Sequence, residues 1–355
     1  MPRHRTAPQP QGPPTARRAR PTRAAALLAT VALALAGCGL RLETPAPVEP
    51  SPDATEQVRA RTVDDALHLA TAATALSGSA SDPAVRAALD EVATFSTRHA
   101  EELGGVYDSG LPDPTPTASP TPTAPAVTDV TGLLRDLVDD AEQAAADADS
   151  APDPALARLV ASVAAARDGL ADRVATVAGL PRPEPTGGAD APQGEPTAAA
   201  PTHGATPAPD APAAAPDGAA ELALAHDEAA WTFTVLAARA ADDRRAAMLQ
   251  ASAGHRTASD DWARVAGVVG QPTDPRRSAY ALPAGIDDPA VADALPRTLE
   301  QAVADASAHV VAGAPAGQRT QGIASLRTAA AAARGWGAAP VPFPGMPELA
   351  TAPVD

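Results

Sequence analysis

Lysine and asparagine are absent from the 355 residues, and all 27 basic residues are arginine. Arginine therefore stands wherever any cation would serve and marks no special chemistry by itself. Cysteine occurs once, at Cys38, which excludes an internal disulfide and argues against a cysteine-based metal cluster. Aromatic side chains make up only 2% of the chain, three of them tryptophans. A sheet core relies on β-branched and aromatic packing, so this scarcity favours helices packed through alanine. No Gly-rich loop sits on a strand-to-helix turn, and no Gly-x-Ser-x-Gly elbow surrounds Ser259 near His255 and Asp260.

The formal net charge is −16, and the acid is uneven. Between positions 39 and 218 there are 28 acidic residues against 10 arginines; from 219 onward there are 15 against 11. Such a chain is repelled by nucleic acid and by anionic headgroups, so nucleic acid is not an expected partner.

The first residues carry the opposite charge. Arg3, Arg5, Arg17, Arg18, Arg20 and Arg23 precede an apolar run at 24–36, with no acid among them. That run has 13 residues, short of the about 20 that a spanning helix needs. It closes on Leu35-Ala36-Gly37-Cys38, so basic, apolar and small-residue zones follow one another as in a secretory signal. Leu-Ala-Gly-Cys resembles the lipobox of bacterial lipoproteins. The resemblance implies a signal peptide over 1–37, cleavage between Gly37 and Cys38, and acylation of the Cys38 sulfur by palmitate-class chains. The expected location is the extracytoplasmic face of the cell membrane, with the membrane itself as partner through the Cys38 lipid.

Proline and threonine divide the rest. A tether at 38–52, an insert at 112–126 and a linker at 181–218 are too rich in proline and too poor in large apolar residues to form a core. Thr115, Thr117, Ser119, Thr121 and Thr123 of the insert are candidates for O-glycosylation in an exported protein. Every block between these segments is expected to be helical, which makes the chain all-α. Residues 53–180 form an N-terminal helical region of two hairpins. Asp53 with Glu56 opens the first helix as a capping box, and Asp82-Pro83, Asp153-Pro154 and Asp288-Pro289 each combine an N-cap with a proline at the first helical position. Val85, Leu89, Val92, Ser96, His99 and Leu103 then trace one face, as do Val130, Leu133, Leu134, Leu137, Val138 and Ala141.

The last block, 219–349, is expected to hold helices at 219–241, 242–269, 288–312 and 316–334, with Pro296 inside the third. The tail at 340–349 is expected to pack Phe343 and Met346 on the bundle. The stretches AHDEAAWTFTVLAAR, GHRTASDDW, RRSAYALPAGIDDPAVADALPRTLEQAV and RGWGAAPVPFPGMPE follow in that order. In this it is similar to a bacterial ferritin-like domain family of unknown function, found in exported proteins of GC-rich Gram-positive bacteria. The resemblance implies a four-helix bundle and no particular reaction.

A di-iron site in such a bundle takes a Glu from each of two helices and a Glu-x-x-His from each of the others. Here Ser252 stands three residues before His255, and the fourth helix has neither acid nor histidine. Glu300 and His309 point to opposite sides of the third. On the first, Glu228 shares a face with Leu224, Trp231 and Val235, whereas His226 does not. No complete metal site, no cofactor and no catalytic residue is expected. Asp65-x-x-His68 and His99-x-x-Glu102 would make a His/carboxylate site only if their faces met. Trp231, Trp262 and Trp336 read as core anchors. The expected role is a non-enzymatic binding or scaffold protein with a cell-envelope protein partner, the alternative being a metal-binding or redox protein with a degenerate site.

Overall fold

The computed structural model describes residues 51–107, 127–186 and 214–350. Gly37, Cys38, the hydroxyl residues of the insert and most of the 181–218 linker lie outside the described residues. Among the described residues the elements are α-helices, a single 3₁₀ turn and no strand. The helices are α1 (Ala54–Ser79), α2 (Pro83–Glu102), α3 (Val130–Ser150), α4 (Pro154–Ala178), α5 (Ala219–Arg239), α6 (Asp242–Val265), α7 (Pro289–Gly313) and α8 (Thr320–Gly335). The 3₁₀ turn is Pro347–Leu349. No helix among the described residues is long and apolar enough to cross a membrane.

The local start signals act as the sequence specifies. Asp53 Oδ1 accepts from the Glu56 amide at 2.8 Å, Asp82 from Ala84, Asp153 from Leu156 and Asp288 from Ala290. Each carboxylate satisfies a backbone donor that the first turn leaves free. The Glu56 side chain turns to Arg59 instead of closing the capping box. Pro296 sits inside α7, which continues through it. Two expected ends shift. α6 stops at Val265, before Gly267 at φ +68°, and α8 begins only at Thr320, after the Gly317 turn at φ +77°.

Helices α1 to α4 pack as two hairpins, α1 on α2 and α3 on α4, that close on each other through α1 with α3 and α2 with α4. Leu69, Leu89, Val92, Leu133, Leu137, Leu170 and Val174 form their core. The two helical regions also join. One cluster runs from Val63, Ala148, Val160 and Ala164 to Leu222, Phe233, Val303, Ile323 and Leu326. Helix α4 makes the junction: it touches α1, α2 and α3 on one side and α7 and α8 on the other. It is buried without a break from Val160 to Ala171, with the charged Arg167 and Asp168 inside the buried stretch and paired there. Alanines at 161, 164, 165 and 166 let its neighbours approach closely.

The tail secures this junction. Phe343 and Met346 pack on Val163 of α4, Ser162 Oγ donates to the Pro344 carbonyl at 2.7 Å, and His99 Nε2 donates to that of Pro342 at 2.8 Å. A Cβ at Gly345 would stand 2.8 Å from the Ala304 carbonyl, so the tail lies flush on α7. The start of the 181–218 linker is held too: Arg182 binds Asp168, and Asp139 Oδ1 accepts from the Thr186 amide at 2.7 Å.

Candidate functional site

Small polar residues bring α6 onto α5. Ser252 Oγ donates to the Ala230 carbonyl at 2.7 Å and Ser259 Oγ to that of Ala223 at 2.9 Å. His255 lies one turn from each serine on the same face, so the two hydroxyl clamps fix the imidazole between them. His226 lies opposite, with its Nδ1 2.9 Å from His255 Nδ1. The other His255 nitrogen, Nε2, lies 3.1 Å from Glu300 Oε1 on α7. Phe233 stacks on the His255 ring at 5.4 Å and 10°, and Trp336 follows Phe233 at 5.5 Å. All three polar side chains are buried, Glu300 at 3% exposure.

The order of protons follows from donor counting. A carboxylate accepts only, so His255 Nε2 donates to Glu300. With both rings in the neutral form, His255 carries a lone pair at Nδ1, which His226 Nδ1–H fills. His226 Nε2 is left with a lone pair, is shielded from water, and has no hydrogen-bond partner among the described residues. Burial, and then the neighbouring His255, pushes the His226 pKa down to about 3, so that lone pair stays unprotonated at neutral pH.

This trio sits at the floor of a cleft. Helix α5 packs on α6 and on α7, and α7 packs on α8; the fourth edge, between α6 and α8, opens into a space of about 600 Å³. His226, His255, Glu300 and Val303 line it, with Trp262 and Trp336 among the walls. Gly254 of α6 also lines it, and a Cβ there would meet nothing within 4 Å.

On α5 the expected separation of faces holds: Glu228 lies with Leu224, Trp231 and Val235, and His226 lies on another face. The buried face carries Leu222, Ala223, His226, Ala230, Phe233 and Leu236, while Glu228 is exposed. Leu224, Trp231 and Val235 are only half-buried, because Trp231 turns to Tyr280 at 6.1 Å. The spacing Leu222, His226, Ala230, Phe233 was the available signal: it puts the histidine one turn from Leu222 on a helical stripe. Trp262 is a core anchor as expected, whereas Trp336 is shared between core and cleft. His309 is exposed, away from Glu300.

The N-terminal histidine pairs do not meet. His68 Nε2 faces Asp136 Oδ2 at 3.2 Å, and Asp65 lies by the buried Arg167 at 3.5 Å. Burial, then Asp65, pushes the Asp140 carboxyl up to about 7. His99 is fully buried on the tail and Glu102 is exposed. Among the described residues no group of three or more His, Cys, Asp or Glu side chains is arranged to hold a metal ion. In the α5–α7 trio the reason is plain, since His255 uses both ring nitrogens on its neighbours.

A family described as a domain of unknown function (DUF4439) matches residues 219–348, the segment that contains the whole cleft. No match was found among the curated proteins, and none among the solved structures.

Proposed function

We propose that this protein is a lipoprotein of the extracytoplasmic face of the cell membrane, acylated on Cys38, whose C-terminal ferritin-like bundle binds rather than transforms its target. The observation that carries the binding reading is the open α6–α8 edge, a cleft floored by interlocked buried polar side chains. A pocket of this size with a few convergent polar groups is what small-ligand sites require. Chemistry by a serine nucleophile finds no support: the hydroxyls of Ser252 and Ser259 are each donated to a backbone carbonyl, not to a base. The anchor rests on the spacing from the leading arginines to Cys38, and a cell-envelope partner remains part of the proposal.

The anchor is tested by radiolabelled palmitate. Wild-type protein should carry label and sediment with membranes, and Cys38→Ala should lose both. Unlabelled wild-type protein in the cytosol would remove the proposal.

The convergence of His226, His255 and Glu300 from three helices favours one second reading, a degenerate metal site. Elemental analysis of the purified full chain decides between them. The binding reading expects no stoichiometric iron, zinc or manganese; metal that disappears on His255→Ala would establish the alternative.

A further inference from the structure

The α6–α8 cleft selects the sign of its occupant. Its ionisable lining residues are His226, His255, Asp261 and Glu300, and no arginine lines it. This is notable in a chain whose surface carries arginine on nearly every helix. Asp261 is ion-paired with Arg264, which does not line the cleft, and Glu300 accepts from His255, so an anionic ligand would meet two carboxylates and no cation in the lining, and would give up its hydration for little return.

The remaining surface fits a cation. Trp262, almost wholly buried, and the half-buried Trp336 line it, and an indole is the best of the side-chain faces for an ammonium group. Gln250, Gln321, Ser325 and Thr328 supply carbonyl and hydroxyl acceptors around them. At the floor, His226 is buried with an Nε2 lone pair that no group of the protein satisfies. A shielded acceptor without a donor is destabilising, and a ligand N–H is the group that would satisfy it. The chain of contacts from Glu300 through His255 keeps that lone pair on Nε2 of His226.

Resting on the reading of this bundle as a binding module, we propose that the cleft takes a small organic amine in its ammonium form, with an apolar body held between the tryptophans. The ammonium group is set by Asp261, Glu300 and the indole faces, and one N–H goes to His226. The alanine walls at 247, 251, 258, 329 and 332 leave room for the apolar part.

Calorimetric titration of the full chain in detergent at pH 7 tests this with three matched probes: phenethylamine, 2-phenylethanol and 3-phenylpropionate. Phenethylamine is expected to bind and to change tryptophan fluorescence, the alcohol to bind at least tenfold more weakly, and the carboxylate not at all. Gly254→Leu, which fills the cleft from an unobstructed helical position, should abolish binding while helical content and unfolding midpoint are kept. Asp261→Asn, on the half-buried rim, should weaken the amine several-fold and leave the alcohol unchanged. Equal binding of the alcohol or the carboxylate would overturn the cationic assignment and leave the cleft a binding site. Failure of all three probes on folded protein would overturn both.

Discussion

Arg319 Nη1 donates to the carbonyl oxygen of Ala151 at 2.5 Å, and this contact ties the turn before α8 to the turn between α3 and α4. The same guanidinium reaches the Ala148 and Ala314 carbonyls, and Asp149 Oδ1 accepts from the Arg319 amide at 2.6 Å. Arg319 is 2% exposed, so its removal leaves several carbonyls buried without a donor. Arg319→Ala should cost about 3 kcal/mol at the order of magnitude of such losses. Because α4 and Arg319 weld both helical regions into one core, urea unfolding followed by circular dichroism and by tryptophan fluorescence should give coincident single transitions. Two separated transitions in the wild type would show that the halves fold independently.

His99 makes stability depend on pH. Burial first, and then the charge of Arg167, pushes its pKa down to about 3. Unfolded histidine takes up a proton near 6.5, so below that pH the unfolded chain binds a proton that the folded chain refuses. The contribution is full above about pH 6.5 and is lost by about 1.4 kcal/mol per pH unit from there towards pH 3. The raised carboxyls of Asp65 and Asp140 act in the opposite sense, gaining stability as pH falls, so the total profile mixes signs. A difference isolates the histidine. His99→Gln keeps a donor for the Pro342 carbonyl but cannot titrate. Between pH 6.5 and 5 the wild type should lose about 2 kcal/mol more than this variant in urea denaturation. Equal losses would mean that His99 is charged in the folded state.

The legible features of this chain are those whose partners lie within a few residues. The aspartate-proline helix starts are three-residue interactions, and the stripes of Leu89, Val92 and Leu133, Leu137 show their period because their side chains are large. The second buried face of α4 did not show, because it is built from alanine, which also occupies exposed faces here and so carries no contrast. The trio of His226, His255 and Glu300 did not show for another reason. Its members are 29 and 45 positions apart on three helices, and only the packing of α5 against α6 and α7 brings them together. On α5 Trp231 was expected as a core anchor but is only half-buried; Tyr280, from the long α6–α7 connection, covers it there.

Gly254 gives a prediction in which the sign is favourable. It lies in the interior of α6, where glycine costs about 1 kcal/mol relative to alanine through backbone entropy. It does not occupy a left-handed conformation, and an added methyl group meets nothing within 4 Å. Gly254→Ala should therefore stabilise the protein by about 0.5–1 kcal/mol, read as a higher urea midpoint with an unchanged slope. A lower midpoint would show that the cleft wall is tighter than its geometry implies.

The proton order in the trio is the most specific consequence of the site. Free histidine favours no tautomer strongly enough to resist a neighbour, so the carboxylate of Glu300 decides for both rings. Glu300 requires the proton of His255 on Nε2, His255 then requires that of His226 on Nδ1, and Nε2 of His226 is bare. Nitrogen-15 NMR of the imidazoles at pH 7 should show two neutral rings of opposite tautomer, His255 protonated on Nε2 and His226 on Nδ1. In Glu300→Gln the side-chain amide can donate or accept, so it no longer imposes one direction, and His226 should populate both tautomers. Because Gln is close to Glu in size, the helices need not move for this to happen, and the change reports the relay itself. Finding His226 protonated on Nε2 in the wild type would reverse the relay and remove the lone pair on which the cleft's preference for an amine partly rests.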